Sequence, residues 1–133
     1  MVIYTSYFGN IRKLTVAGVM PICVAIGKPK FFFGPQMLNV APTRYMLSSA
    51  CSEQEYIRLY DNILNSLNAF KVLEEIKQLS GGKDVALCCY EKPGDFCHRH
   101  TLAKWLTEKT GTPITEFGVI ERKEPEYKQA SLF

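Results

Sequence analysis

Residues 84–110 read DVALCCYEKPGDFCHRHTLAKWLTEKT, and this stretch decides the fold. The apolar run from Asp84 to Glu91 predicts a buried central strand. From about Phe96 to Thr110 apolar residues recur at helical spacing, which predicts a helix with Asp95 as its N-cap. A strand that passes through a short loop into a helix is the building unit of a parallel sheet, so this stretch indicates an α/β protein.

The rest of the chain follows the same alternation. Further strands are predicted at 2–8, 21–26 and 114–117. Ser52 with Glu55 forms a capping box that begins one helix. Asn68 begins another helix, which ends at Ser80-Gly81-Gly82. The prediction is a small three-layer, mostly parallel, Rossmann-like sheet with helices on both faces.

Length and composition indicate one domain at residues 1–120, followed by a charged tail at 121–133. The net charge of +3 is too small to indicate nucleic-acid binding, and direct contact with DNA stays an open question. The apolar stretch from Leu14 to Ile26 is too short to cross a membrane and is interpreted as sheet strands. Five cysteines are too few for a disulfide scaffold, so we expect a reducing, cytoplasmic location.

Residues 28–51 combine prolines, glycines and Phe31-Phe32-Phe33 without a sustained period. A loop of this length is uncommon in a small domain unless it binds a ligand or covers a site. The alternative is a packed segment whose aromatic side chains complete the core.

The candidate site is the point where the central strand passes into the helix. We predict Cys97 as a nucleophile, because free amides at the start of a helix favour a thiolate. Glu91 and His98 are the candidate acid or base, with His98 turned inward, towards Glu91 in one arrangement. Arg99 and His100 are predicted to bind ligand, Arg99 as the clamp for a phosphate or carboxylate.

A second polar group lies near the carboxyl end of the first strand. Tyr4, Ser6 and Asn10 offer hydroxyls and an amide. If the first strand lies beside the central strand, Ser6 or Asn10 approaches Glu91 and Cys97, and we count all three as candidate ligand-binding residues.

Simpler interpretations of these residues stay open. Cys88 and Cys89 are expected to be small hydrophobic core residues. Glu91, His98 and Arg99 can instead form a structural ion-pair network. A metal site would use Cys89, Cys97, His98 and His100, but these lack the paired spacing of structural zinc sites, so no metal or cofactor is predicted.

The pattern Cys89-x-Glu91-x5-Cys97-His98-Arg99, followed by an apolar helix with Trp105, resembles the signature of domain of unknown function family number 488. The opening run Ile3-Tyr4-Thr5-Ser6-Tyr7-Phe8 and the segment Ser80-Gly81-Gly82-Lys83-Asp84 resemble its shorter phage and bacterial members. The resemblance implies a small α/β fold and singles out the residues Tyr4, Glu91, Cys97, His98 and Arg99. It implies no reaction.

The last five residues, Gln129-Ala130-Ser131-Leu132-Phe133, resemble the peptide with which bacterial replication and repair proteins bind the polymerase sliding clamp. Gln129, Leu132 and Phe133 match that peptide. Two functions are therefore predicted. One is a cysteine-dependent enzyme acting on a nucleotide or another anionic small molecule. The other is a non-catalytic binding module of DNA metabolism or phage–host interplay, recruited to the clamp.

Overall fold

The computed structural model describes residues 1–91 and 97–118, in which strands and helices alternate. The strands are β1 (Ile3–Tyr7), β2 (Met20–Cys23), β3 (Val85–Cys89) and β4 (Ile114–Glu116). The helices are α1 (Ile11–Val16), α2 (Glu53–Asn65), α3 (Ala69–Ser80) and α4 (His98–Thr110). No helix in this described part is both long enough and apolar enough to cross a lipid bilayer. The predicted tail at 121–133 lies outside the described residues.

The four strands form one parallel sheet in the order β2-β3-β1-β4. β3 pairs on both sides, and every one of its residues is buried. Val85 and Leu87 pack in the core that contains residues of α2, α3 and α4, whereas Ala86 and Cys88 pack with Leu14 of α1. Helices therefore lie on both faces of a parallel sheet, and the predicted α/β class is confirmed.

The ends of α2 and α3 follow the predicted local rules. The Ser52 hydroxyl accepts a hydrogen bond from the Glu55 amide at 3.0 Å, and the Asn68 side chain accepts one from the Lys71 amide at 3.1 Å. Each bond satisfies an amide that the helix itself leaves free. Gly81 ends α3 with φ of 64°, a left-handed conformation that glycine adopts without a side-chain clash.

The prediction for Leu14 to Ile26 is partly wrong. The first part of this stretch belongs to α1, and β2 ends at Cys23 rather than at residue 26. In α1 only Leu14 is buried, whereas Val16 is 85% exposed. The apolar residues of this stretch are therefore not all buried. The six-residue helix α1 is held against the sheet by the buried side chain of Leu14.

The long loop is in part the packed segment of the second alternative, and a role in ligand binding stays a prediction. Phe32 is buried in the second core, but Phe31 and Phe33 are exposed. Val40 is fully buried, and its carbonyl accepts a hydrogen bond from the Tyr60 hydroxyl at 2.7 Å. The loop is thus anchored to the core at its middle, and its last part lies over the carboxyl ends of β2 and β3.

Candidate active site

A cavity of about 350 Å³ lies at the carboxyl ends of β2 and β3. This is the edge of a parallel sheet at which ligands bind in α/β proteins. The end of β2, the end of β3, the start of α4, the long loop and the start of α2 each contribute to its wall. The lining residues are Ala25, Ile26, Pro42, Met46, Leu47, Cys51, Ser52, Glu53, Tyr56, Cys89, Tyr90, Glu91, Cys97 and His98. The wall is mainly apolar and aromatic, with the chemically reactive side chains concentrated between β3 and α4.

Cys97 is the N-cap of α4, which corrects the predicted cap and start of this helix. The helix begins at His98, and the Cys97 sulfur accepts a hydrogen bond from the Arg99 amide at 3.5 Å. Asp95, the predicted cap, lies outside the described residues. The first turn of α4 contains no acidic residue. The positive end of the helix is therefore not neutralised where it meets the Cys97 sulfur.

Cys97 is joined to Cys89, the last residue of β3, by a disulfide. Cys88 and Cys89 are both buried in the second core, as expected, and the disulfide of Cys89 is an additional role that the sequence did not predict. Cys88 lies on the opposite face of the strand. Burial, as the main cause, raises the pKa of the Cys88 thiol to about 12. Two adjacent thiols thus have different surroundings, because successive side chains of a strand point to opposite faces.

His98 turns inward as predicted, but its partner is a backbone carbonyl rather than Glu91. Its Nε2 lies 2.8 Å from the carbonyl oxygen of Val24. Because a carbonyl only accepts, Nε2 must carry the hydrogen and donate it. Burial, as the main cause, lowers the pKa of His98 to about 4; the bond to Val24 opposes this, and the charge of Arg99 adds to it.

The bond to Val24 fixes the other ring nitrogen of His98. A neutral imidazole with its hydrogen on Nε2 leaves Nδ1 as an acceptor. Nδ1 lies 4.0 Å from the Cys97 sulfur. His98 therefore directs an unprotonated ring nitrogen toward the sulfur that caps its own helix.

Arg99 is fully buried and does not line the cavity. Its guanidinium donates to both carboxylate oxygens of Glu116 at 3.2 and 3.1 Å, to the Cys89 sulfur at 3.0 Å and to the backbone carbonyl of Glu91. These bonds tie β4 and the end of β3 to α4. Arg99 is thus a structural and electrostatic partner of Cys89, and the predicted anion clamp is corrected accordingly.

Glu116 is a functional neighbour that the sequence reasoning missed. It belongs to the predicted last strand, and its carboxylate also accepts a hydrogen bond from the Thr5 hydroxyl at 2.6 Å. A carboxylate that is largely buried is costly to the fold without a cationic partner. A glutamate in the predicted last strand was therefore the sequence signal for a partner of Arg99.

The other predicted ligand-binding residues lie away from this wall. β1 and β3 are neighbours as expected, with Ser6 opposite Cys88. The buried Ser6 hydroxyl accepts a hydrogen bond from the Asn10 amide at 3.2 Å, and the Tyr4 ring packs edge-on against Phe117. His100 is exposed on α4. None of these four belongs to the described lining of the cavity.

Three side chains of this site have the composition of a metal centre. Ligand atoms of Cys89, Cys97 and His98 lie within 4.8 Å of one another. Two thiolates and an imidazole suit Zn²⁺, and such a set would leave a fourth position open. Both sulfurs are available as ligands only when the disulfide is reduced. His100, the fourth ligand of the interpretation considered from sequence, is not part of this group.

Comparison with protein families identifies the chain. Residues 24–110 match the family model described as the active DUF488-N3 subclade, which is well over half of the 133 residues. The chain is a member of the DUF488 family. The matched DUF488 region contains all of the described lining residues of the cavity, including Cys89, Cys97 and His98. Comparisons with curated proteins and with solved structures found no match.

The predicted clamp-binding residues of this DUF488 chain, Gln129, Leu132 and Phe133, lie outside the described residues. The family match ends at residue 110 and does not include them. Recruitment to a sliding clamp therefore stays a prediction, which binding of the clamp by the full chain and by a chain lacking Leu132 and Phe133 would test.

Proposed function

We propose that the chain is a cysteine-dependent enzyme that acts on a small molecule bound in the cavity, with Cys97 as nucleophile and His98 as base. One observation carries the proposal: the capping sulfur of Cys97, which becomes a thiol when the disulfide is reduced, lies 4.0 Å from the unprotonated ring nitrogen of His98 at the wall of the cavity. A nucleophile with an adjacent, oriented base is the arrangement on which covalent catalysis depends.

The activation of Cys97 follows from three contacts. Reduction of the disulfide frees the thiol, and the reducing cytoplasm in which we expect the chain favours that state. Nδ1 of His98 then accepts the thiol proton, and the thiolate formed beside the ring stabilises the imidazolium that burial otherwise disfavours. The Arg99 amide and the positive end of α4 stabilise the resulting thiolate.

The residues of the described wall indicate which part of a substrate would enter the cavity. Its charged side chains are Glu53 and Glu91. Arg99 is bound to the Glu116 carboxylate and does not face the cavity. Carboxylates bind the hydroxyls of a ribose, and the surrounding Met46 and Tyr56 suit a planar base. We therefore propose a nucleotide whose nucleoside part enters the cavity, while its phosphates lie toward solvent.

Labelling of Cys97 tests this function. Fully reduced protein is treated with iodoacetamide near neutral pH, and peptide mass spectrometry follows each cysteine with and without a panel of nucleosides and nucleotides. We expect Cys97 to react at least about tenfold faster than Cys51, the partly exposed thiol of the same wall. A bound nucleoside should slow labelling of Cys97.

Glu91→Gln tests the role of the carboxylate. We expect it to weaken nucleoside protection about tenfold, the cost of a charge-assisted hydrogen bond. Glu74→Gln, on the exposed face of α3, is the matched control and should leave protection unchanged. Equal labelling rates for Cys97 and Cys51, or protection by no member of the panel, would contradict the proposal.

A further inference from the structure

We propose that Cys89 and Cys97 are a working dithiol–disulfide couple that exchanges with small disulfides entering the cavity, with Cys89 as the resolving thiol. The inference rests on the proposed function only in requiring Cys97 to be the reactive thiol. It adds a second reacting residue and a two-electron reaction to the same site.

The position of the two sulfurs supports this assignment. The two sulfurs are bonded to each other, so the folded chain already accommodates the oxidised form of the couple. Both line the cavity, and Cys97 is 5% exposed whereas Cys89 is 1% exposed. A molecule in the cavity therefore reaches the Cys97 sulfur first.

The surroundings of Cys89 suit a resolving and leaving thiol. The Arg99 guanidinium donates to its sulfur at 3.0 Å and is itself held by the Glu116 carboxylate. A fixed cation beside a sulfur stabilises the thiolate, which is both the attacking and the departing form in exchange. Cys88, one residue earlier, lies on the opposite face of the strand and is not among the lining residues in the described part of the chain.

The reaction balances in two steps. The Cys97 thiolate attacks one sulfur of a small disulfide, a new S–S bond forms, and one small thiolate leaves. The Cys89 thiolate then attacks the Cys97 sulfur, the intramolecular disulfide forms, and the second small thiolate leaves. The two protons of the protein thiols end on the released thiols, so one disulfide is reduced to two thiols while the protein dithiol is oxidised.

The charge of the cavity indicates which disulfides react well. Glu53 and Glu91 are the carboxylates of its described wall, which contains no Lys or Arg side chain. Carboxylates raise the local concentration of cations and lower that of anions. A compact cationic disulfide such as cystamine is therefore the favoured class, and a dianionic one such as dithiodiglycolate is the disfavoured class.

The experiment uses the full chain, reduced and freed of reductant, with its metal content measured before use. It is mixed with cystamine, quenched with acid, and analysed by intact-mass and peptide mass spectrometry. Wild type should lose two hydrogen atoms and gain a Cys89–Cys97 link with no retained adduct. Cys89→Ala should stop at one cysteamine adduct on Cys97, and Cys97→Ala should lose the fast reaction.

Cys88→Ala is the matched control, because it removes a thiol from the same strand on the opposite face. It should form the same link at the wild-type rate, and circular dichroism checks that each variant is folded. Dithiodiglycolate should react at least about fivefold more slowly than cystamine, and Glu53→Gln with Glu91→Gln should reduce this difference.

Several outcomes would overturn the inference. They are a stable adduct on wild-type Cys97, a link to another cysteine, no charge preference, or a reduced protein in which bound zinc masks two thiols. Rapid labelling of Cys97 by iodoacetamide together with any of these would leave the proposed function intact and remove this inference alone.

Discussion

Helices α2 and α4 begin on two walls of the same cavity, and one is capped by an oxygen while the other is capped by a sulfur. Ser52 accepts its amide hydrogen bond at 3.0 Å, and Cys97 accepts its own at 3.5 Å. Sulfur is the weaker acceptor, so Cys97 is the poorer cap.

The residues after each cap differ in charge. The first turn of α2 carries Glu53 and Glu55, which interact favourably with the helix dipole. The first turn of α4 carries no acidic residue, and His98 and Arg99 follow its cap directly. The start of α2 therefore stabilises a helix, whereas the start of α4 would favour a thiolate at Cys97 once the disulfide is reduced, as the proposed function requires. The two caps therefore suit different roles: the oxygen cap of α2 suits stabilisation of its helix, and the sulfur cap of α4 suits the proposed nucleophile.

Cys97→Ser gives α4 the kind of cap that α2 has, and we expect the largest effect from it. Labelling by iodoacetamide at this position should fall by at least about 1,000-fold, because a serine hydroxyl is not ionised near neutral pH. Under reducing conditions the melting temperature should change by only a few degrees, because serine is a good N-cap. A variant that unfolds instead would show that Cys97 serves the fold.

His98→Gln tests the base through the pH dependence of stability. The pKa of His98 is about 4 in the folded chain and near 6.5 when unfolded, so the unfolded chain binds more protons between these values. The free energy of unfolding should therefore fall as the pH drops through this window, by up to about 3 kcal/mol from this residue. The variant should lose that dependence while its glutamine can still donate to Val24.

Urea unfolding of both proteins under reducing conditions, at about pH 7 and about pH 4.5, measures this difference. His100→Gln is the comparison variant: the pKa of this histidine is also lowered, mainly by partial desolvation, so its removal should take away a smaller part of the same dependence than His98→Gln does. An equal loss of stability on acidification in wild type and His98→Gln would mean that His98 is not the buried neutral base described.

The fold could be predicted where local rules and tertiary packing agree. Ser52, Asn68 and Gly81 are typical cap residues, and β3 is an uninterrupted apolar strand. The ends of these helices and the position of this strand could therefore be predicted from the sequence. The helix α1 could not be predicted, because its apolar composition favours a strand and only Leu14 decides which face packs.

From the sequence, the location of the site and its residues between β3 and α4 could be predicted, but their binding partners could not. Cys97, His98 and Glu91 are close in sequence, and all three line the cavity. Their partners come from distant segments: Val24 fixes the ring of His98, and Glu116 holds Arg99. The opposite wall, including Ser52 and Tyr56, depends on how the long loop crosses the sheet, which no local pattern specifies.

Ser52→Cys places a second capping thiol on the opposite wall and sharpens the comparison. We expect it to react with iodoacetamide about tenfold more slowly than Cys97, because Glu53 and Glu55 oppose a thiolate there. The neighbouring Cys51 already illustrates this: burial chiefly, and then the charge of Glu55, raises the pKa of its thiol. Peptide mass spectrometry of the reduced variant separates the three rates, and equal rates at the two caps would remove the proposed role of the residues around them.

Ser52→Ala and Cys97→Ala measure how much each cap contributes to the free energy of unfolding. We expect the smallest effects from these two variants. Under reducing conditions Ser52→Ala should lower the free energy of unfolding by about 1 kcal/mol, the usual value of an oxygen cap. Cys97→Ala should lower it by less, because its sulfur accepts at 3.5 Å and is a weak acceptor. Denaturant titration of both variants gives the two values directly. If Cys97→Ala costs more than Ser52→Ala, the sulfur contributes to the stability of α4, and its choice at this position would follow from the fold rather than from chemistry.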